Sequence, residues 1–251
     1  SHCHFCSVLS GPSHLLSVRG MSADSKPGQQ DWPDDGAATK TVYLVRHGRS
    51  EGNVWSESWV NLALGVLLCR GCAGHDLSIA CSRCPCCPDE DPPLVERGRA
   101  QVADVARQLA ARDFVREAGV ELVVHSPLRR TRATCQGIFG GSGVPVTEAS
   151  VFREYFPWTD GCPCLPCGFR DRVRAGRRWL AERPERVIAL VGHEMYFQAL
   201  LGDSRARYSN VEVRRCTLDV ATRRLTQVEV VCMPGAGAGA AEGAPEASPK
   251  G

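Results

Sequence analysis

Residues 41–53 read TVYLVRHGRSEGN. A mostly apolar run leads straight into Arg46, His47 and Gly48. A strand end whose polar residues merely reach solvent would be the bland explanation. Two further apolar runs end in the same way. ELVVH at 121–125 stops on His125 and Ser126, and RVIALVGH at 186–193 stops on Gly192 and His193. Arg130 sits one turn into the helix expected after the second run. One such ending is commonplace, whereas three suggest a shared anionic ligand.

Working outward, strand and helix signals alternate. PLVERGRAQVADVARQLAARDF (93–114) carries Val95, Val102, Val105, Ala106 and Leu109 at helical spacing. SPLRRTRATCQGIF (126–139) opens with Ser126 as a plausible N-cap and Pro127 at the first helical position. VPV (144–146) reads as a short strand, and FRDRVRAGRRWLAER (169–183) as a helix stopped by Pro184. EMYFQALLG (194–202) reads as a helix closed by Gly202. VEVRRCTLDV and RRLTQVEVV read as a closing hairpin. This β–α alternation predicts an α/β fold, a three-layer α/β/α sandwich with a mostly parallel, doubly wound sheet. Ligands of such sheets bind outside the carboxyl ends of the strands, where all three runs deliver their polar residues.

Two arginines with two histidines suit phosphoryl transfer. That chemistry consists mainly of positioning and of stabilising charge spread over the equatorial oxygens. Guanidinium forks match phosphate geometry and stay protonated. Helix N-termini add backbone donors. A neutral imidazole aligned with the ester can attack phosphorus itself. With this much fixed positive charge no metal or other cofactor is required.

These residues carry a family resemblance. RHGRSEGN resembles the R-H-G-x-[ST]-x-x-N signature of the histidine phosphatase superfamily, the phosphoglycerate mutase-like family. DPPLVERGRAQ (91–101) is similar to its D-x-x-L-T-x-x-G-x-x-Q segment, with Val95 in place of the usual threonine. SPLRRTRAT, FREYF, VGHEMYFQALLG and NVEVRR resemble further segments of the family, in its order, over roughly residues 40–232. The resemblance implies a phosphoglycerate mutase-like fold. It makes His47 the nucleophile, with Arg46, Arg130 and His193 completing the phosphate pocket. Asn53 would contact the transferred group and Glu154 would donate a proton to the leaving oxygen. Glu194 is the rival acid, and Arg129 and Arg132 are rivals of Arg130. Asp160 reads as a turn residue, and His125 is set aside as a packed or surface histidine. Arg49 stands where the family often has glutamate or glutamine, which adds charge at the site mouth.

The expected activity is a phosphomonoesterase working through a phosphohistidine on a small phosphorylated substrate. One alternative is phosphoglycerate mutase-type transfer. The family's mutases carry a longer, more regular covering segment after R-H-G, where this chain is Cys-rich. Another is a non-catalytic, zinc-stabilised protein that binds phosphate ligands.

Composition narrows the partners. Over 251 residues the net charge is +2, so no basic footprint marks the chain for nucleic acid or an anionic membrane. No apolar run approaches the roughly 20 residues of a membrane span. Six of the 14 cysteines lie between Cys69 and Cys87, and CPCLPC follows at 162–167. CRGC (69–72) and CSRC (81–84) have the spacing of structural zinc ligands. The alternative is a thiol-rich insertion without metal. The expected organisation is an unstructured or targeting-like segment at 1–40 and a catalytic domain at 41–232. That domain holds a Cys-rich insertion at about 66–90, and a Gly/Ala/Pro tail follows at 233–251. The expected compartment is the cytoplasm, with organelle targeting by residues 1–20 as the alternative.

Overall fold

The computed structural model describes residues 38–58, 91–156, 160 and 167–235. Most of the 1–40 segment, the insertion at about 66–90 with both C-x-x-C pairs, residues 162–166 and most of the tail lie outside the described residues. So do the zinc and targeting expectations attached to them.

Six strands form one sheet in the order β3-β2-β4-β1-β5-β6. They are β1 (Thr39–Arg46), β2 (Leu122–His125), β3 (Val146–Glu148), β4 (Val187–Gly192), β5 (Val213–Asp219) and β6 (Arg224–Cys232). β1, β4, β2 and β3 run parallel, and β5 and β6 add an antiparallel hairpin beside β1. Besides a helical stretch at 51–58, the named helices among the described residues are, in chain order, α1 (Glu96–Ala111), α2 (Phe114–Glu117), α3 (Arg129–Phe139), α4 (Cys167–Glu182) and α5 (Glu194–Leu201).

Side chains alternate across a strand, so β1 serves two cores. Val42 and Leu44 pack with Ile188 and Leu190 beneath Val173 and Leu180 of α4 and Tyr196, Phe197 and Leu200 of α5. Tyr43 and Val45 pack with Ala189 and Val191 beneath Val102, Val105 and Leu109 of α1 and Cys135 and Phe139 of α3. Helices therefore cover both faces, which makes the three layers expected from the alternation. Central strands buried on both faces read as continuous apolar runs, and this is why TVYLV and VIALV were legible.

Buried helix ends find partners from neighbouring elements. The buried Lys40 ammonium donates to the carbonyls of Leu180 and Arg183 at the end of α4. Arg177 of α4 donates to Ala199 O at 3.0 Å and Leu200 O at 2.8 Å at the end of α5. Gly202 ends α5 at φ 75°, a left-handed conformation that glycine adopts without steric cost.

Three local expectations shift. β3 begins at Val146 rather than Val144, because Pro145, which lacks an N–H, stands just before it. The residue before α3 is Leu128, and Asp91 Oδ1 accepts the Arg129 N–H at 2.6 Å, so Ser126 is not the cap. Val95 precedes α1 and gives it no side-chain cap, as befits an apolar residue where the family usually has threonine.

The loop after β1 is packed against α1 at backbone distance. A Cβ on Gly98 would lie 2.0 Å from Arg49 O. Gly98→Ala should therefore cost on the order of 1–3 kcal/mol in chemical denaturation. Relief requires α1 and the loop that carries His47 to move apart. Unchanged stability would show that this close contact does not hold the loop.

Candidate active site

β1 and β4 are paired to their last residues. Arg46 stands opposite Gly192, and the His47 N–H donates to Gly192 O at 3.0 Å. β2 lies on the other side of β4, with His125 opposite Val191. The three strand ends are therefore neighbours at one edge of the sheet, as the sequence predicted.

The loop from Arg46 to Ser50 is held from several sides. Val211 N–H donates to Arg46 O at 3.1 Å, and Asn210 Nδ2 donates to His47 O at 3.1 Å. Gly48 N–H donates to Thr134 Oγ1 at 3.0 Å, and Arg49 N–H donates to Gln101 Oε1 at 3.2 Å. Ser50 caps a helical stretch at 51–58: its N–H and hydroxyl both donate to Asn53 Oδ1, at 3.0 and 3.1 Å. The Asn53 side chain thus supplies one half of a capping box, accepting the N–H of the residue before the helix.

His47 is buried, and its Nδ1 lies 2.7 Å from Gly48 O. A carbonyl can only accept, so Nδ1 carries the proton. Burial, then the nearby Arg130 and Arg46 cations, hold the His47 pKa well below its ordinary value. The ring is neutral, and its Nε2 keeps a lone pair. His193 is fully buried, 5.2 Å from His47 between ring centroids. Burial, then Arg130, His47 and Arg46, depress its pKa as well. Its Nε2 lies 2.8 Å from Ser126 Oγ, and its Nδ1 lies 4.0 Å from Glu154 Oε2.

Of the arginines opening α3, Arg130 is buried while Arg129 and Arg132 are exposed, and Arg132 pairs with Glu148 at 2.6 Å. Of the three, Arg130 is the one whose charge acts on His47, His193 and Glu154. Arg46 pairs with Glu194 at 3.1 Å and donates to Tyr208 O. Glu194 also meets Arg207 at 3.6 Å. Arg49 pairs with Glu57 at 2.6 Å, so the charge it adds at the mouth is compensated.

Glu154 stands beside His193 on the loop after a 3-10 turn at Ser150–Phe152. Burial pushes its pKa up to about 7, against the opposing pull of the Tyr155 N–H, Arg130 and Arg46. The rival Glu194 is engaged in ion pairs, whereas Glu154 is a carboxyl that holds its proton near neutral pH.

Asp160 is not a simple turn residue. It is buried, bound by Arg172 through two hydrogen bonds of 2.5 and 2.7 Å, and accepts the Phe156 N–H at 2.8 Å. Arg172 also donates to Arg153 O and Glu154 O. The pair thus anchors the loop that carries Glu154. Sequence reading missed Asp160, Arg172, Thr134, Gln101 and Asn210, whose partners are distant in the chain. His125 is buried, with Nδ1 2.8 Å from Ser126 O.

Residues 82–160 match the family model described as histidine phosphatase superfamily (branch 1). Over that segment the chain is similar to the histidine phosphatase superfamily. The matched segment holds Arg130 and Glu154, while His47 and His193 lie outside it. No curated protein matches the chain. A candidate alpha-ribazole-5'-P phosphatase from Escherichia coli K-12 is 15% identical, covers 78% of this chain and 96% of its own, and has a TM-score of 0.50. At that identity the likeness shows the fold. A mycobacterial glucosyl-3-phosphoglycerate phosphatase is 18% identical over 78% of this chain and 100% of its own, with a TM-score of 0.49. A Bacillus anthracis phosphoglycerate mutase is 14% identical over 78% and 93%, with a TM-score of 0.49. Among the described residues, no helix is long and apolar enough to cross a membrane, and no group of three or more His, Cys, Asp or Glu is placed to hold a metal.

Because the Glu154 pKa is raised on folding, its contribution to stability is complete below its ordinary value of 4.5 and is lost as pH rises through about 7. Glu154→Gln removes this titration. The stability of the wild type relative to Glu154→Gln should fall between pH 4.5 and 7 and level off above it. The total change should be at most about 3 kcal/mol. Denaturation curves at several pH values measure it, and a flat difference would place the carboxyl in a well-solvated site.

Proposed function

We propose that the chain is a phosphomonoesterase acting through a phosphohistidine on a small phosphorylated substrate. The observation that carries this reading is the neutral His47, its proton fixed on Nδ1 by Gly48 O, within the field of two buried or partly buried arginines, Arg130 and Arg46. An imidazole lone pair held among cations suits attack on an anion's phosphorus, because the arginines draw in the phosphoryl oxygens and leave the nucleophile unprotonated.

His47 Nε2 forms a bond to phosphorus while the ester P–O bond breaks. Arg46 and Arg130 take up the charge on the equatorial oxygens, with His193 beside them. Asn53 would present its amide Nδ2, because its Oδ1 is occupied by Ser50. Glu154 gives its proton to the departing alkoxide. Its carboxylate then takes a proton from water as the water oxygen attacks phosphorus. The P–N bond breaks, its electron pair returns to His47, and phosphate leaves. An anionic substrate beside Glu154 favours the protonated carboxyl still further. A phosphatase is preferred to a mutase because Cys-rich sequence stands where the family's mutases carry their covering segment.

Brief incubation with a labelled phosphate ester should leave base-stable, acid-labile label on the protein, and the label should pass to water as inorganic phosphate. His47→Ala should abolish it. Acid-stable label, label that survives in the variant, or label returned mainly to an acceptor hydroxyl would each reject the assignment.

The acid role of Glu154 is separable by leaving group. An alkyl alkoxide needs a proton as it departs and a nitrophenolate does not. Glu154→Gln should slow alkyl phosphates by about 10²–10⁴-fold and p-nitrophenyl phosphate far less. Equal losses on both would make Glu154 a positioning group and Glu194 the next candidate.

A further inference from the structure

Ser126 looked like a helix cap in the sequence, and the structure gives that task to Asp91. The Ser126 hydroxyl instead lies 2.8 Å from His193 Nε2, with both residues fully buried. The opposite ring nitrogen, His193 Nδ1, is buried, has no hydrogen-bond partner among the described residues, and faces the Glu154 carboxyl at 4.0 Å.

A neutral imidazole has one proton and two places for it. If the proton sat on Nε2, a bare Nδ1 lone pair would face the phosphoryl oxygens and repel them. If it sits on Nδ1, that nitrogen becomes a donor to the transferred group, and Nε2 must accept a hydrogen bond from its own neighbour. A hydroxyl can supply that bond. We infer that Ser126 is a positioning residue that donates its hydroxyl proton to His193 Nε2 and so holds the His193 proton on Nδ1, aimed at the phosphoryl group. The two site histidines are then set by different devices. A backbone carbonyl holds the proton on Nδ1 of His47 and bares Nε2 for attack. A side-chain hydroxyl occupies Nε2 of His193 and turns its Nδ1 into a donor.

The backbone around Ser126 keeps the hydroxyl in place. Its N–H donates to Val191 O at 3.1 Å, and its carbonyl accepts from Thr131 Oγ1 at 2.8 Å. The residue is thus tied to β4, which leads directly into His193, and to the first turn of α3, which carries Arg130. The hydroxyl, the second histidine and the arginine are fixed as one unit.

This inference rests on the phosphatase reading, but part of its test does not. The full chain with ¹⁵N-labelled histidine reports which ring nitrogen of His193 is protonated, assigned by comparison with His193→Asn. The wild type without substrate should show the proton on Nδ1. Ser126→Ala should shift His193 toward the Nε2-protonated form and lower kcat for p-nitrophenyl phosphate by about 10- to 100-fold, the scale of one lost buried hydrogen bond to a developing charge. KM should change less. Ser126→Thr, which keeps the hydroxyl, should restore the Nδ1 signal and most of the rate. An Nε2-protonated His193 in an active wild type would overturn the inference and leave the phosphatase reading standing. So would a Ser126→Ala protein with an unchanged tautomer and rate. A wild type with Nδ1 protonated and no esterase activity would overturn the phosphatase reading alone.

Discussion

The pairing of β1 with β4 places the two histidines of the site. Because Arg46 lies opposite Gly192 and the His47 N–H reaches Gly192 O, two histidines nearly 150 residues apart in the chain come to face each other at 5.2 Å. A parallel ladder has no freedom to slide by one residue without turning every side chain to the other face. Here such a slip would exchange the α4/α5 core of Val42 and Leu44 for the α1/α3 core of Tyr43 and Val45. The hydrophobic register of the two cores is therefore also the register of the site.

Around that ladder the molecule concentrates groups that are costly to bury. His47, His193, Arg130 and Glu154 share one small volume, and burial leads the causes of every shifted pKa among the two histidines and the carboxyl. Neutral imidazoles and a carboxyl that keeps its proton near pH 7 are the forms such a volume favours. They are also the forms that the proposed phosphoryl transfer would use. The balance is struck by two cations that lower the pKa of all three groups: they reinforce desolvation at the histidines and oppose it at Glu154, too weakly to overcome it. Stability and chemistry meet in the same residues, and the mouth is tempered by the Arg46–Glu194 and Arg49–Glu57 pairs.

How legible a feature was in the sequence depended on how local its cause is. The central strands announced themselves as unbroken apolar runs because both faces are covered. The choice of Arg130 over its neighbours leaned on Ser126 as the opening of the helix, a cap that the structure does not show, whereas the burial of Arg130 beside exposed Arg129 and Arg132 appears only in the packed fold. Ser126 was misread because Ser-Pro before a helix has a sound local meaning. A hydrogen bond to a histidine 67 residues away leaves no trace in such spacing. Asp160 was undervalued for the same reason, since its partner Arg172 lies beyond the stretch in which it was read.

By itself the sequence determined the layer order, the three strands that end at one edge, and the residue types assembled there. These follow from period and composition, which act within a few residues. Tertiary structure alone decided which nitrogen of each histidine bears a proton, which carboxyl stays protonated near neutral pH, and which serine serves a histidine rather than a helix. Those outcomes depend on desolvation and on hydrogen bonds between residues far apart in the chain, and neither exists until the layers close.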